Sequence, residues 1–193
     1  MISKEKFNFI KNKYGHCSSW AIWAEVGDKP KSNVGDLTIF ENEAILEILN
    51  PDIIFVGLNI SRNDIKQPLA NFHSNKSKAQ EFKLRFAIKD TLLWGAYMTD
   101  IIKDYDELDS KNVINHLKEN KNLEEKSVKT FQQEIIDLES NEPMIIALGN
   151  ATYKIMLKNF PHLNIIKLTH FSHRIAKEKY REEVKSIYAS INF

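Results

Sequence analysis

The sequence lacks most of the features that would tie the chain to a membrane, a metal or an oxidising compartment. It has a single cysteine, Cys17, in 193 residues, which excludes an internal disulfide and any zinc or iron–sulfur site built from four cysteines. No run approaches the roughly 20 apolar residues of a membrane span, and the amino terminus has no apolar secretory segment. We therefore expect a cytoplasmic protein with no membrane partner.

The sequence also lacks a strong excess of charge. Its net charge of +1 gives no argument for nucleic acid by itself. Bases do outnumber acids between Arg62 and Lys89 and again between Lys167 and Lys185. A solvated lysine-rich surface explains such runs as readily as contact with nucleic acid does, so both interpretations stay open.

No repeat, low-complexity tract or linker interrupts the chain, and its length fits one domain over 1–193. The run from Ile53 to Val56 has no polar alternation, which is typical of a strand covered on both faces. Further strands are predicted over about 95–102, 144–148 and 165–168. Helices are predicted over about 3–13, 41–49, 77–89 (with Ser77 as N-cap), 108–120, 127–139 and 176–191, with another capped by Asn150. This alternation predicts an α/β fold: a three-layer α/β/α sandwich with a central four-stranded parallel sheet. The segment 15–40 is irregular and receives no assignment.

Polar residues follow three of the predicted strands. The first strand ends at Gly57 and delivers Asn59 two positions later, and Asp100 and His170 stand at two later strand ends. Ligands of open α/β sheets bind just beyond the carboxyl ends of the strands. These residues therefore define one candidate site.

Three motifs in this order resemble the uracil-DNA glycosylase superfamily over about residues 45–180. The stretch 57–61, Gly-Leu-Asn-Ile-Ser, is similar to the Gly-Ile-Asn-Pro-Gly of the mismatch-specific uracil and thymine branch. The stretch 99–103, Thr-Asp-Ile-Ile-Lys, is similar to the Thr-Asn-x-x-Lys of the thermophilic branch, and 170–172, His-Phe-Ser, stands in place of His-Pro-Ser. The strand that ends at Gly149 before a helix is also similar.

The resemblance implies a role for each matching residue. Asn59 would orient a water and His170 would donate a hydrogen bond to the developing oxyanion, as expected for cleavage of an N-glycosidic bond. Phe72 would stack on a flipped base. The implied substrate-binding residues are Gly57, Leu58, Phe72, Asp100 and Ser172, and the implied DNA contacts are Ser61, Arg62, His173 and Arg174. Neither a metal nor a cofactor is expected.

Three positions depart from the family pattern. Ile60 and Phe171 replace prolines, so both loops lose a fixed φ. Asp100 replaces an asparagine, and an ionised carboxylate only accepts hydrogen bonds. A base with an amino group, or a protonated Asp100, would fit better than uracil, and the target base stays open. The single cysteine excludes the branch that carries an iron–sulfur cluster.

The sequence therefore supports one leading function and two alternatives. The first is a monomeric, monofunctional DNA glycosylase of base excision repair that acts on single- or double-stranded DNA with a flipped base. The second is a catalytically silent protein of the same fold that binds a nucleobase or nucleic acid. The third is an unrelated α/β enzyme with a small-molecule substrate.

Each singled-out residue also has a purely structural interpretation. The glycine and asparagine after the first strand are compatible with a simple turn, and Asp100 with the N-cap of a following turn. Phe72 is compatible with a core anchor. Trp20 and Trp23 are expected in the core, and Cys17 is expected to be buried and unreactive.

Overall fold

A computed structural model of the chain describes residues 1–61, 65–103 and 105–191. Its centre is a five-stranded sheet. The strands are Ser18–Trp20 (β1), Asn50–Asn59 (β2), Ala96–Ile102 (β3), Met144–Leu148 (β4) and Ile165–Leu168 (β5). They are ordered β1-β3-β2-β4-β5; β2 to β5 run parallel, and β1 runs antiparallel to β3.

Helices connect the parallel strands, as right-handed crossovers require. The helices are Lys4–Tyr14 (α1), Glu81–Ile88 (α2), Ser110–Glu119 (α3), Lys121–Asp137 (α4), Asn150–Asn159 (α5) and Lys177–Ile191 (α6). Two short 3₁₀ helices, Thr38–Glu41 and Glu43–Glu47, precede β2. None of the helices described is long and apolar enough to cross a bilayer.

Successive side chains of the strands point to opposite faces of the sheet and pack into two separate apolar cores. Ile54 and Val56 pack in a cluster that also contains residues of α1, α3, α4 and α5. Phe55 and Met98 point the other way and pack with residues of α2 and α6. The predicted α/β class is confirmed, and helices cover both faces of the sheet.

The sheet differs from the prediction at its edge. The four predicted parallel strands are present, but β1 joins them as a fifth, antiparallel strand, and it lies inside the segment 15–40 that the sequence left unassigned. Ser18, Ser19 and Trp20 are all fully buried, so this strand has no polar–apolar alternation to reveal it. Trp20 and Trp23 are in the core, as expected.

The helix before β2 was predicted wrongly. The segment 41–49 forms a short 3₁₀ helix that Asn42 caps through its bond from Ala44 N. The amide of Ile48 donates to the carbonyl of Ile45, and this three-residue spacing is that of a 3₁₀ helix. The helix ends at Glu47, just before β2 begins.

Three other helix starts were also wrong. The helix predicted from Ser77 begins at Glu81, with Gln80 as its N-cap, and a separate turn closed by the Ala79 N to Lys76 O bond precedes it. Gly149, with φ of +89°, is the N-cap of α5, and Asn150 is its first residue. The helix predicted from 127 begins at Lys121, directly after α3.

The strand order changes direction between β2 and β4, and a ligand crevice is expected at such a point. From β2 the chain crosses to β3 on one side, and from β4 it crosses to β5 on the other. Such a point, where connections leave in opposite directions, is where open α/β sheets bind ligands. Gly57 and Asn59 at the end of β2 and Gly149 after β4 border this crevice.

Candidate functional site

Gly57 and Asp100 are paired across two neighbouring strands. They are register partners in β2 and β3, and a Cβ added at Gly57 would overlap Oδ1 of Asp100. The Asp100 carboxyl group therefore leans over Gly57, and the absence of a side chain there makes room for it. The structural alternative of Asp100 as the N-cap of a following turn is wrong, since the residue lies inside β3.

Asp100 is buried at 3% exposure, and a second buried side chain holds its carboxyl group. Asn71 Nδ2 donates to Asp100 Oδ2 at 2.9 Å and to the Cys17 carbonyl at 2.8 Å. Burial raises the pKa of Asp100 to about 7, although the Asn71 hydrogen bond and the charge of Lys103 act to lower it. Near neutral pH this carboxyl group both donates and accepts hydrogen bonds.

Phe72 lies against Gly57 and is held in a left-handed backbone conformation. Its φ is 65°, and its Cε1 would lie 3.5 Å from a Cβ at Gly57. The residues on either side are anchored, Asn71 on Asp100 and His73 on the Ile22 carbonyl at 2.9 Å. A non-glycine residue at positive φ is a strained feature that clusters at functional sites. Phe72 is also buried in the core, as its structural interpretation predicted.

His170 follows β5 and lies beside Gly149. Its Nδ1 accepts a hydrogen bond from Ser172 N at 3.2 Å and lies 2.7 Å from Ser172 Oγ. The proton of the neutral ring is therefore on Nε2. His170 is partly buried, and the loss of surrounding water lowers its pKa, so the ring is neutral at pH 7 and presents Nε2–H as a donor.

Asn59 has a structural task in addition to any chemical one. Its Nδ2 donates to the carbonyls of Ile60, Tyr105 and Glu107 at 3.2, 3.1 and 2.8 Å. These bonds fasten the loop after β3 to the end of β2. Its Oδ1 accepts no hydrogen bond from the residues that the structure describes.

The remaining predicted residues fall into three groups. The Leu58 side chain packs in the core on the opposite face of the sheet, so it is not brought to the Gly57–Asp100 cluster. Arg62 lies outside the described residues. The other predicted contacts are exposed around the site: Ser61, Ser172, His173 and Arg174.

The motif at 99–103 divides between the two faces of the sheet. Asp100 faces Gly57, whereas Lys103 Nζ lies 2.6 Å from the fully buried Glu134 of α4. Glu134 also accepts hydrogen bonds from Tyr97 and Thr99 at 2.8 and 2.9 Å, and Lys103 donates to the Asp100 carbonyl at 2.7 Å. The ion pair thus supports the strand that carries Asp100 from behind.

Sequence reasoning missed three residues that shape the site. Asn71 and His73 lie in an irregular loop, and Glu134 lies on a helix that was predicted only as polar. For Asn71 and His73, the only local signal in the sequence is that they are polar residues on either side of Phe72. For Glu134 the sequence gives none.

Comparison with known proteins adds no relative. No family model, curated protein or solved structure matches the chain. In the described part of the chain, no three His, Cys, Asp or Glu side chains converge to hold a metal ion.

Proposed function

We propose that the protein is a monofunctional DNA glycosylase of the uracil-DNA glycosylase type, which removes a damaged or mismatched base during base excision repair. The observation that carries the proposal is the cluster of Gly57, Phe72 and Asp100 at the carboxyl end of the sheet. It combines an aromatic ring, a carboxyl group able to donate or accept, and a glycine whose missing side chain makes room for that carboxyl group. These are the groups that hold a flipped base, by stacking and by hydrogen bonds to its edge.

The two polar groups flank one crevice. Asp100 leans over Gly57 at the end of β2, and His170 lies beside Gly149 after β4. The strands β2 and β4 are neighbours, and neighbouring strands lie about 4.8 Å apart. A base seated between them would meet a carboxyl group on one side and an imidazole donor on the other.

Hydrolysis then requires a water and a stabilised leaving group. The water oxygen attacks C1′, the C1′–N bond breaks, and its electron pair leaves with the base while the proton of the water passes to solvent or to the base. Asn59 Oδ1 would orient the water, because an amide oxygen accepts hydrogen bonds but is a poor base. The neutral His170 would donate Nε2–H to the oxygen of the departing base. The exposed Ser172, His173 and Arg174 would contact phosphates, which positions the strand without reading its sequence.

The protonation of Asp100 determines which base edge is accepted. The protonated form donates to a carbonyl oxygen, and the ionised form accepts from an amino group. Base recognition through this residue should therefore change between the acid and alkaline sides of pH 7. In the variant Asp100→Asn, the side-chain amide should both accept and donate hydrogen bonds at every pH, as the asparagine of the Thr-Asn-x-x-Lys motif would.

Base release from modified oligonucleotides tests the proposal. Single and double strands carrying uracil, hypoxanthine, xanthine or a thymine mismatch are incubated with the wild type, Asn59→Ala and Asp100→Asn. We expect release from at least one substrate, loss of that release in Asn59→Ala, and a pH–rate profile that changes near pH 7 only when Asp100 is present. Intact oligonucleotides across the whole panel would refute the proposal.

A binding protein of the same fold is the second candidate. It is favoured by Asn59, whose Nδ2 is committed to the carbonyls of Tyr105 and Glu107. Asn59 would then be a structural residue alone. This candidate predicts salt-dependent binding of oligonucleotides with no cleavage.

A further inference from the structure

A second concave site lies on the outer side of the helical layer, away from the Gly57–Asp100 cluster. Its volume is about 380 Å³, and it is formed by the loop 26–30, α2 and the first turns of α6. That volume is within the roughly 300–1,000 Å³ of small-molecule sites. Its apolar walls include Phe82 and Phe86, one turn apart on α2, and Val26, which is 48% exposed.

A buried arginine holds the wall of this cavity in place. Arg85 donates from Nη1 to the Ala24 carbonyl at 3.1 Å and from Nη2 to the carbonyls of Pro30 and Ser32, both at 2.8 Å. The side chain is only 2% exposed. The loop that closes the cavity is therefore fastened to α2, and the site is preformed.

The cavity has more positive than negative groups. Two cations lie over the Phe86 ring, Lys177 Nζ at 4.2 Å and Arg181 Cζ at 4.8 Å from its centre. Among the described residues, Lys177 forms a salt bridge with its neighbour Glu178 alone, at 3.3 Å. The cationic lining residues are Lys29, Arg85, Lys89, Lys177 and Arg181, and the acidic ones are Asp28 and Asp90.

Arg181 is the member of this set that lacks a counter-group. Its Nε is buried without a hydrogen-bond partner, and its guanidinium group makes no hydrogen bond or ion pair with the residues that the structure describes. A buried guanidinium donor left unsatisfied costs about 1–3 kcal/mol. A planar fork of donors matches a carboxylate or phosphate, to which it binds through two parallel hydrogen bonds.

We propose that this cavity binds a small organic anion, with its phosphate or carboxylate on Arg181 and Lys177 and a planar apolar body against Phe82 and Val26. The positive lining attracts the charged end, and the aromatic wall favours a ring over an extended chain. The inference does not depend on the proposed glycosylase activity, because it uses none of the residues of that site.

Calorimetric titration at low salt tests the proposal with four probes. Adenosine monophosphate and benzoate carry both parts of the ligand, inorganic phosphate carries only the charge, and adenosine carries only the ring. We expect at least one of the first two to bind, and to bind at least about 10-fold more tightly than inorganic phosphate and adenosine. Which of the two binds better distinguishes a phosphate ligand from a carboxylate ligand.

Two variants place the binding in this cavity. Arg181→Gln removes the fork, and Lys185→Gln on the same helix is its control, since it removes one exposed charge outside the cavity. Val26→Asp puts a negative charge at the exposed mouth and leaves the core untouched. We expect Arg181→Gln and Val26→Asp each to weaken binding about 10-fold or more, and Lys185→Gln to leave it within about 2-fold.

Three results would overturn the proposal. One is no binding of adenosine monophosphate or benzoate at millimolar concentration. Another is equal weakening by Arg181→Gln and Lys185→Gln, which would indicate a general charge effect. The third is that inorganic phosphate or adenosine binds as tightly as adenosine monophosphate or benzoate. That result would show that the cavity does not recognise an anionic group and a ring together. If Arg181→Gln proves unfolded by circular dichroism, Val26→Asp alone decides the location.

Discussion

Replacing Asp100 with asparagine should remove a pH dependence of stability that the wild type shows. The pKa of Asp100 is raised from 3.8 to about 7 in the folded state, mainly by burial. Between these two values the folded protein holds a proton that the unfolded chain releases. The contribution of Asp100 to the free energy of unfolding is therefore fully present below about pH 4 and is lost as the pH rises through about 7.

The size of this effect follows from the shift. One pKa unit corresponds to about 1.4 kcal/mol, so a shift of about three units corresponds to roughly 4 kcal/mol as an upper value. The variant Asp100→Asn keeps an oxygen to accept the hydrogen bond from Asn71, which is 2.9 Å long in the wild type. Its side chain has no titrating proton to lose. Its stability relative to the wild type should therefore rise between about pH 4 and pH 8 by up to about 4 kcal/mol.

Urea unfolding followed by tryptophan fluorescence measures this difference. Curves for the wild type and Asp100→Asn are compared at several pH values from about 4.5 to 8. Because the two proteins share every other titrating group, including His170, those contributions cancel in the difference. Asp28→Asn, at an exposed aspartate, controls for the loss of one carboxylate. If the difference between wild type and Asp100→Asn stays constant across the pH range, Asp100 does not carry the raised pKa.

Three further substitutions test the packing around the site. Gly57→Ala should lower the free energy of unfolding by about 1–3 kcal/mol through overpacking against the Asp100 carboxyl group. The same substitution should cost less in the Asp100→Ala background, and equal costs in both backgrounds would contradict the contact. Glu134→Ala should cost about 3–5 kcal/mol in urea unfolding, because it leaves the Lys103 charge buried and unpaired, and the double variant with Lys103→Met should recover part of this loss. Asn59→Ala should raise amide hydrogen exchange in 105–109, since the two bonds from Asn59 to the Tyr105 and Glu107 carbonyls are lost there. Unchanged exchange would show that the loop is held by other contacts.

The parallel part of the sheet was predictable because each strand carries its own signal. Met144–Leu148 and Ile165–Leu168 have the predicted bounds, since an apolar run that ends in glycine or a polar cluster is a local pattern. β1 was not predictable in this way. It has only three residues, Ser18–Trp20, and forms through pairing with β3, about 80 residues later in the chain.

The closeness of Gly57 and Asp100 was predictable from the sequence, but the electrostatics of the pair were not. Gly57, Asp100 and His170 could be grouped because carboxyl ends of parallel strands meet at one edge of the sheet. The pKa of Asp100 depends on burial and on Asn71, whose contact with it spans 29 residues of sequence. Such a contact belongs to the assembled loop, and nothing in the local sequence indicates it.

The two missing prolines weaken the proposed function less than the sequence suggested. Ile60 and Phe171, which replace them, are each only 6% exposed and pack in the cores on opposite faces of the sheet. Burying such a side chain contributes about 1.5–3 kcal/mol, so hydrophobic anchoring fixes loops that a proline would fix through φ. The turn after His170 is further closed by its carbonyl, which accepts from His173 N at 2.9 Å. For the proposed function the departure that matters is therefore Asp100, because its protonation would determine which base edge the site could hold.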